Sequence, residues 1–189
     1  LLVHEGSAER LTQKLRARME KLRVGSPLDK AVDMGAIVAP VQLERIRGLV
    51  EKGVQEGAKM WQPSWACPTD GYFYPPTVLA NVEPGMPAFD EETFGPLAPV
   101  IRARDEAQAV ALANRSRFGL GASVWSRNAA RAEALAREIE AGAVFVNGIV
   151  KSAPRLPFGG IKRSGHGREL GSAGIREFVN LKTVWVREG

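Results

Sequence analysis

A chain of 189 residues, 44% hydrophobic and 25% charged, holds enough apolar material for one substantial core, which excludes a disordered protein. The formal net charge of +5 and isoelectric point near 9.7 raise nucleic acid as a partner, but the cations are spread along helix-forming stretches without a recognised binding module, so no nucleic-acid partner is expected. A single cysteine, Cys67, and two distant histidines, His4 and His166, exclude a disulfide framework and a thiolate metal cluster, and no metal is expected.

Leu1–His4 reads as a short strand. It has neither the charged region nor the length of a signal peptide, and no later apolar run is long enough to span a membrane, so a cytoplasmic setting without a membrane partner is the default expectation. Ser7 is placed to cap a helix over Ala8–Arg23, whose Leu11, Leu15, Met19 and Leu22 make one apolar stripe. Arg10, Lys14, Arg16, Arg18, Lys21 and Arg23 supply its solvated face, and Val24-Gly25-Ser26-Pro27 ends it. A second amphipathic helix is predicted over Val41–Gln55 through Leu43, Ile46, Leu49, Val50 and Val54, closed by Gly57. Ala58–Trp61 reads as a strand. Cys67, in Trp65-Ala66-Cys67-Pro68, reads as a small buried hydrophobe, and Gly71–Leu79 is aromatic and then extended around Pro75 and Pro76.

Asp90-Glu91-Glu92-Thr93-Phe94-Gly95-Pro96 stands directly before the apolar run Leu97–Ile101, a buried strand. Two readings of the acidic stretch stand side by side. One is an exposed acidic turn; the other is a carboxylate at the mouth of a sheet, suited to hydrogen-bonding paired sugar hydroxyls while the aromatic packs beside them. Asp105 with Gln108 three residues on gives a capping-box pattern for the next helix, with Ala109, Leu112 and Ala113 on its apolar side. A strand over Ala122–Trp125, a helix over Asn128–Glu140 and a strand over Ala143–Val146 follow. Strands alternating with helices at this spacing predict an α/β fold with a mostly parallel sheet covered by helices. Gly148–Arg163, rich in proline, glycine and cations, reads as a functional loop. Gly167–Phe178 reads as a helix broken by Gly171 and Gly174, and Phe178–Val186 alternates like a strand whose free edge needs another sheet.

Behind the acidic stretch come Gly119-Leu120-Gly121-Ala122-Ser123-Val124-Trp125, Gly142-Ala143-Val144-Phe145-Val146-Asn147 and Pro157-Phe158-Gly159-Gly160-Ile161-Lys162-Arg163-Ser164-Gly165. Together these motifs resemble the carboxy-terminal half of the aldehyde dehydrogenase superfamily. Arg168-Glu169-Leu170-Gly171, followed by Gly174-Ile175-Arg176-Glu177-Phe178, looks most like its bacterial succinate-semialdehyde dehydrogenase branch. One departure is Gln62–Pro68, which stands where the dehydrogenase family usually has a glycine-rich turn.

The resemblance implies a three-layer α/β catalytic domain over 1–177 that begins after the nucleophile motif. It also implies a C-terminal oligomerisation strand over 178–189, pairing through Phe178–Val186 with a neighbouring subunit of a homo-oligomer. Glu92 matches the glutamate that holds the nicotinamide ribose of NAD or NADP, and Phe94 the aromatic beside it; plain core packing is the other reading of Phe94. Phe158 matches an aromatic of the substrate tunnel. Glu169 matches a buried glutamate proposed to relay protons, and an ion pair with Arg168 or Lys162 is an equal reading. Lys151, Ser152 and Arg155 lie where the family forms its substrate entrance and could bind the distal carboxylate of a semialdehyde. The implied activity is oxidation of an aldehyde, with succinate semialdehyde the branch substrate, to a carboxylate. Hydride passes to the coenzyme from a hemithioacetal on a cysteine. Cys67 does not match that nucleophile, and Gly165-His166-Gly167-Arg168-Glu169-Leu170-Gly171 has one residue too many for a dinucleotide fingerprint. The chain alone is therefore expected to be inactive. The alternative is a non-catalytic assembly or regulatory subunit that docks onto a complete dehydrogenase.

Overall fold

Apolar residues at successive positions of two neighbouring strands, Val78-Leu79 and Val100-Ile101, decide the architecture of the first half of the chain, because successive strand side chains point to opposite faces of a sheet. A sheet with both faces apolar must be covered on both. The computed structural model describes residues 1–189, which form two compact units, Leu1–Leu112 and Ala113–Gly189.

The first unit contains β1 (Leu2–His4), α1 (Glu5–Met19), α2 (Pro40–Gln55), β2 (Lys59–Trp61), β3 (Thr77–Ala80), α3 (Pro87–Asp90) and β4 (Leu97–Ala103); α4 (Glu106–Asn114) begins in it. Its sheet has the order β1-β4-β3-β2. β4 pairs in parallel with β1 (Leu2 opposite Ile101) and with β3 (Thr77 opposite Leu97), while β2 runs antiparallel to β3. On one face Val3, Val78 and Val100 pack with Ala8 of α1, joined by Leu15 and Met19. On the other, Leu79 and Ile101 pack with Leu43, Ile46 and Val50 of α2 and with Ala88 of α3. The expected three-layer arrangement with a mostly parallel sheet is present in this unit.

The helix ends differ from the expectation for physical reasons. α1 is capped by His4, whose Nδ1 accepts from the Gly6 N–H at 3.2 Å, and not by Ser7, because the strand passes into the helix without a loop. The buried stripe is set by packing on the sheet and is offset from the expected one: Ala8 and Thr12 are buried, while Leu11 is 40% exposed. α2 begins with a proline in its first turn and ends before Gly57, whose φ of +106° suits a residue without a side chain. α4 is capped by Asp105 as expected, while the Gln108 side chain reaches back one residue further than in a capping box, to Arg104. The Gln108 N–H donates to Asp105 Oδ1 at 2.7 Å, and Gln108 Oε1 accepts from the Arg104 N–H at 2.8 Å.

In the second unit, β6 (Gly121–Val124), α5 (Ala129–Glu138) and β7 (Ala143–Val146) form a parallel βαβ turn, with α5 packed on both strands. β5 (Phe118–Gly119) pairs antiparallel with β8 (Ile161–Lys162). α6 is confined to Gly171–Arg176, shorter than the helix expected over Gly167–Phe178. Gly167 at φ +73° and Leu170 at φ +63° hold the preceding residues outside helical geometry. Phe178–Val186 is not a strand in the single chain: it carries no strand pairing, and Phe178 and Leu181 are 90% and 94% exposed. An alternating segment gains strand geometry only by pairing. No helix of either unit is long and apolar enough to cross a membrane.

Leu79 is fully buried between α2 and the sheet. Leu79→Ala is expected to cost about 2–5 kcal/mol of stability, measured as a lower urea midpoint with an unchanged denaturant slope.

Candidate functional site

The acidic stretch leaves α3 at Glu91 and enters β4 at Leu97, so both of its ends are fixed by regular structure. Thr77 of β3 donates its N–H to the Pro96 carbonyl at 2.8 Å, extending the ladder to the edge of the loop. From α2, Arg45 Nη2 meets Glu91 Oε2 at 3.1 Å. That pair is half exposed and worth little by itself. Gln42 adds a firmer hold: its Nε2 donates to the Thr93 carbonyl at 2.6 Å and lies 3.3 Å from the Phe94 carbonyl oxygen. Phe94 has φ +46°, a conformation that bulky residues seldom adopt. Beneath it, a Cβ on Gly95 would come within 2.3 Å of Ile46 Cδ1, so only glycine lets the loop lie this close to the helix.

The side chains the sequence singles out are those the clamp leaves free. Phe94 is 71% exposed, which excludes its core-packing reading in this chain. Glu92 is exposed and takes part in no hydrogen bond or ion pair. An exposed turn is thus one correct description of the loop, but its backbone is held more firmly than a solvated turn requires. A free carboxylate two residues from a free ring fits a ribose: two oxygens can accept from adjacent hydroxyls, and the ring offers an apolar face.

In the second unit, Phe158 and Glu169 form an isolated antiparallel bridge, each N–H donating to the other's carbonyl at 2.8 Å. The Gly171 N–H donates to the Pro154 carbonyl at 3.0 Å. These bonds draw Phe158, Glu169 and the Lys151–Arg155 loop together. Lys151, Ser152 and Arg155 are exposed. An open groove of about 420 Å³ runs beside the loop, lined by Pro154, Glu169, Leu170, Ile175 and Phe178 among others.

Glu169 differs from its expectation in two respects. It is exposed in this chain, not buried, and it pairs with neither Lys162 nor Arg168. Both cations are committed elsewhere. Lys162 Nζ meets Glu140 Oε2 at 2.6 Å and donates to the Asn114 and Ser116 carbonyls at 2.7 and 3.1 Å. Arg168 Nη1 donates to the Gly160 and Gly167 carbonyls at 2.9 and 2.6 Å.

Sequence reasoning missed Gln42 and Arg45. A signal was available, since Gln42 stands four residues before buried Ile46 and therefore on the edge of the buried face of α2. It likewise gave no role to Asn147, which ends β7 at φ +52°. There it accepts from the Ser126 N–H and donates to the Ser126 carbonyl, both at 2.9 Å.

Comparison with known proteins settles the ancestry. The aldehyde dehydrogenase family matches residues 1–184. The chain belongs to that family. It is 46% identical over 185 residues to the probable succinate-semialdehyde dehydrogenase (NADP(+)) of Synechocystis sp., a match covering 98% of this chain and 41% of that protein. Among solved structures, an NAD-dependent aldehyde dehydrogenase from Sinorhizobium meliloti superposes with a TM-score of 0.89 at 38% identity, over 94% of this chain and 36% of that one. Betaine aldehyde dehydrogenase from Staphylococcus aureus, solved in complex with NAD+, gives 0.87 at 31% identity, over 94% and 36%. The chain thus spans about two fifths of the length of the curated relatives it matches.

In this aldehyde dehydrogenase family member the stretch Gln62–Pro68 docks on the end of α1. The Trp65 indole N–H donates to the Glu20 carbonyl at 3.0 Å, and Ser64 donates its N–H and hydroxyl to the Glu20 carboxylate. Cys67 is half-buried there, less enclosed than expected, and desolvation pushes its thiol up from the usual value. A raised pKa means less thiolate at neutral pH. Alkylation of Cys67 by iodoacetamide is expected to be slower at pH 7 than that of a free cysteine, with a pH–rate midpoint above the free thiol's.

Proposed function

We propose that the chain supplies the coenzyme-positioning and substrate-entrance parts of an aldehyde dehydrogenase that oxidises succinate semialdehyde, or an aldehyde of the same charge, to its carboxylate. NAD or NADP, when bound, supplies the hydride acceptor. The observation that carries this reading is the clamped acidic loop. Its backbone is fixed on α2 while Glu92 and Phe94 remain free, as a contact to a ribose and its ring would require. In this reading Glu92 accepts from the ribose hydroxyls and Phe94 packs beside the nicotinamide.

Phe158 lines the aldehyde path, and its backbone pairing with Glu169 holds it in place. The Glu169 carboxylate, free of any ion pair, exchanges protons between the path and solvent. Lys151 and Arg155 attract the distal carboxylate of the substrate, and Ser152 donates a hydroxyl to it. The thiol nucleophile and the coenzyme fold are supplied by residues outside this chain. Phe178–Val186, whose Phe178, Leu181 and Trp185 are exposed, adds to the sheet of another copy, since an extended apolar segment finds its backbone partners on an open edge.

Replacing Lys151 and Arg155 together by alanine in the native enzyme is expected to raise KM for succinate semialdehyde roughly tenfold or more and to leave KM for an uncharged aldehyde within about twofold. Equal losses on both substrates would reject the carboxylate-binding role. Deleting residues 178–189 is expected to lower the oligomeric mass in light scattering, and an unchanged mass would reject the strand-exchange role.

A further inference from the structure

Gln42 is held between the core and the acidic loop. It stands in the first turn of α2, half-buried, beside Leu43 and four residues before Ile46, both buried. One amide nitrogen faces two successive carbonyls, of Thr93 at 2.6 Å and Phe94 at 3.3 Å. Two adjacent backbone carbonyls face a single donor because Phe94 is in the left-handed region at φ +46°. That conformation opposes the intrinsic preference of a phenylalanine, which favours the extended or right-handed region. A residue stays there only when its surroundings determine it. Ile46 limits the space below Gly95, and Gln42 supplies one donor to both carbonyls, the part-buried one of Thr93 at the shorter distance. If the donor is removed, Phe94 is free to turn to a preferred conformation and carry its ring, and the neighbouring Glu92 carboxylate, out of place.

We propose that Gln42 is the positioning residue of the coenzyme contact, acting through the backbone of Thr93 and Phe94. The proposal rests on the reading of Glu92 and Phe94 as the residues that hold the nicotinamide ribose. It goes beyond that reading by locating the determinant of their geometry on a different element. Arg45, whose pair with Glu91 is exposed at the surface, contributes less to the hold.

The test uses a donor-deleting and a donor-restoring variant. Gln42→Glu keeps the length of the side chain but presents an acceptor to both carbonyls; Gln42→Lys returns an N–H donor at similar reach. In the chain itself, amide exchange at Leu97, whose N–H donates to the Gly95 carbonyl of the clamped loop at 2.8 Å, is expected to quicken roughly tenfold or more in Q42E and to recover in Q42K, with the Ile101 amide farther along β4 unchanged. In the native enzyme, KM for the coenzyme is expected to rise roughly tenfold in Q42E and to fall back in Q42K, while KM for the aldehyde stays within about twofold. Glu92→Gln is measured alongside. Unchanged exchange in Q42E overturns the clamp. Faster exchange with an unchanged coenzyme KM, while E92Q raises it, overturns the positioning role and leaves the ribose reading standing. If neither E92Q nor Q42E changes coenzyme KM, both fall. Should Q42E fail to fold, Gln42→Leu, close in size and without a donor, replaces it with the same expectations.

Discussion

Strand β4 is bonded along both edges, to β1 on one side and β3 on the other, and is buried on both faces. Because side chains alternate, sliding it by one residue would exchange Val100, which packs toward α1, with Ile101, which packs toward α2. Both layers would have to be rebuilt at once. The register is therefore held by two independent cores, and so is the point at which the chain enters the strand. Pro96, tied to Thr77, is the last residue of this rigid frame, and the acidic loop hangs from it. A loop anchored to such a strand needs few further bonds to become well placed, and α2 adds the Gln42 bonds, the Arg45–Glu91 pair and the contact of Ile46 with Gly95.

The glycine-rich motif of the second unit is held by backbone contacts far more than by side-chain chemistry. A Cβ at Gly142 would come within 1.7 Å of the Gly159 carbonyl oxygen, and one at Gly160 within 2.5 Å of Ser164 Cβ. Around these close approaches, Ser164 Oγ accepts from the Gly119 N–H at 3.0 Å, and Lys162 and Arg168 neutralise carbonyls that would otherwise face the interior unpaired. The polar side chains of this motif serve here as backbone ligands. Phe158, Glu169 and the exposed loop beside them are what this scaffold leaves free.

Much of the fold was legible because it rests on short-range periodicity. The stripe Leu43, Ile46, Leu49, Val50 gave α2, and the alternation of strand and helix gave the mostly parallel sheets. What was not legible depended on contacts distant in sequence. The cap of α1 moved to His4 because β1 is tied to residues about a hundred positions away, and the role of Gln42 arises from a loop 51 residues downstream. Glu169 was read as buried or ion-paired, since the sequence does not disclose that Lys162 and Arg168 are already satisfied by carbonyls. The site residues themselves were found through motif resemblance. Without it, the acidic stretch stays undecided between an exposed turn and a sugar-binding carboxylate, and Lys151–Arg155 is only part of a cationic loop.

The pairing of Leu2 with Ile101 carries a consequence for the order of folding. During synthesis β1 and α1 leave the ribosome long before β4 exists, and closing so long a loop delays the reward for bringing them together. Until β4 emerges, the apolar faces of α1 and β1 have no sheet to cover and offer adhesive surface to other chains. The βαβ turn of the second unit has no such wait, as its strands are separated only by α5. The β1–α1 segment, made well before its partner strand, is thus fixed late, and it offers nascent-chain chaperones a surface to shield.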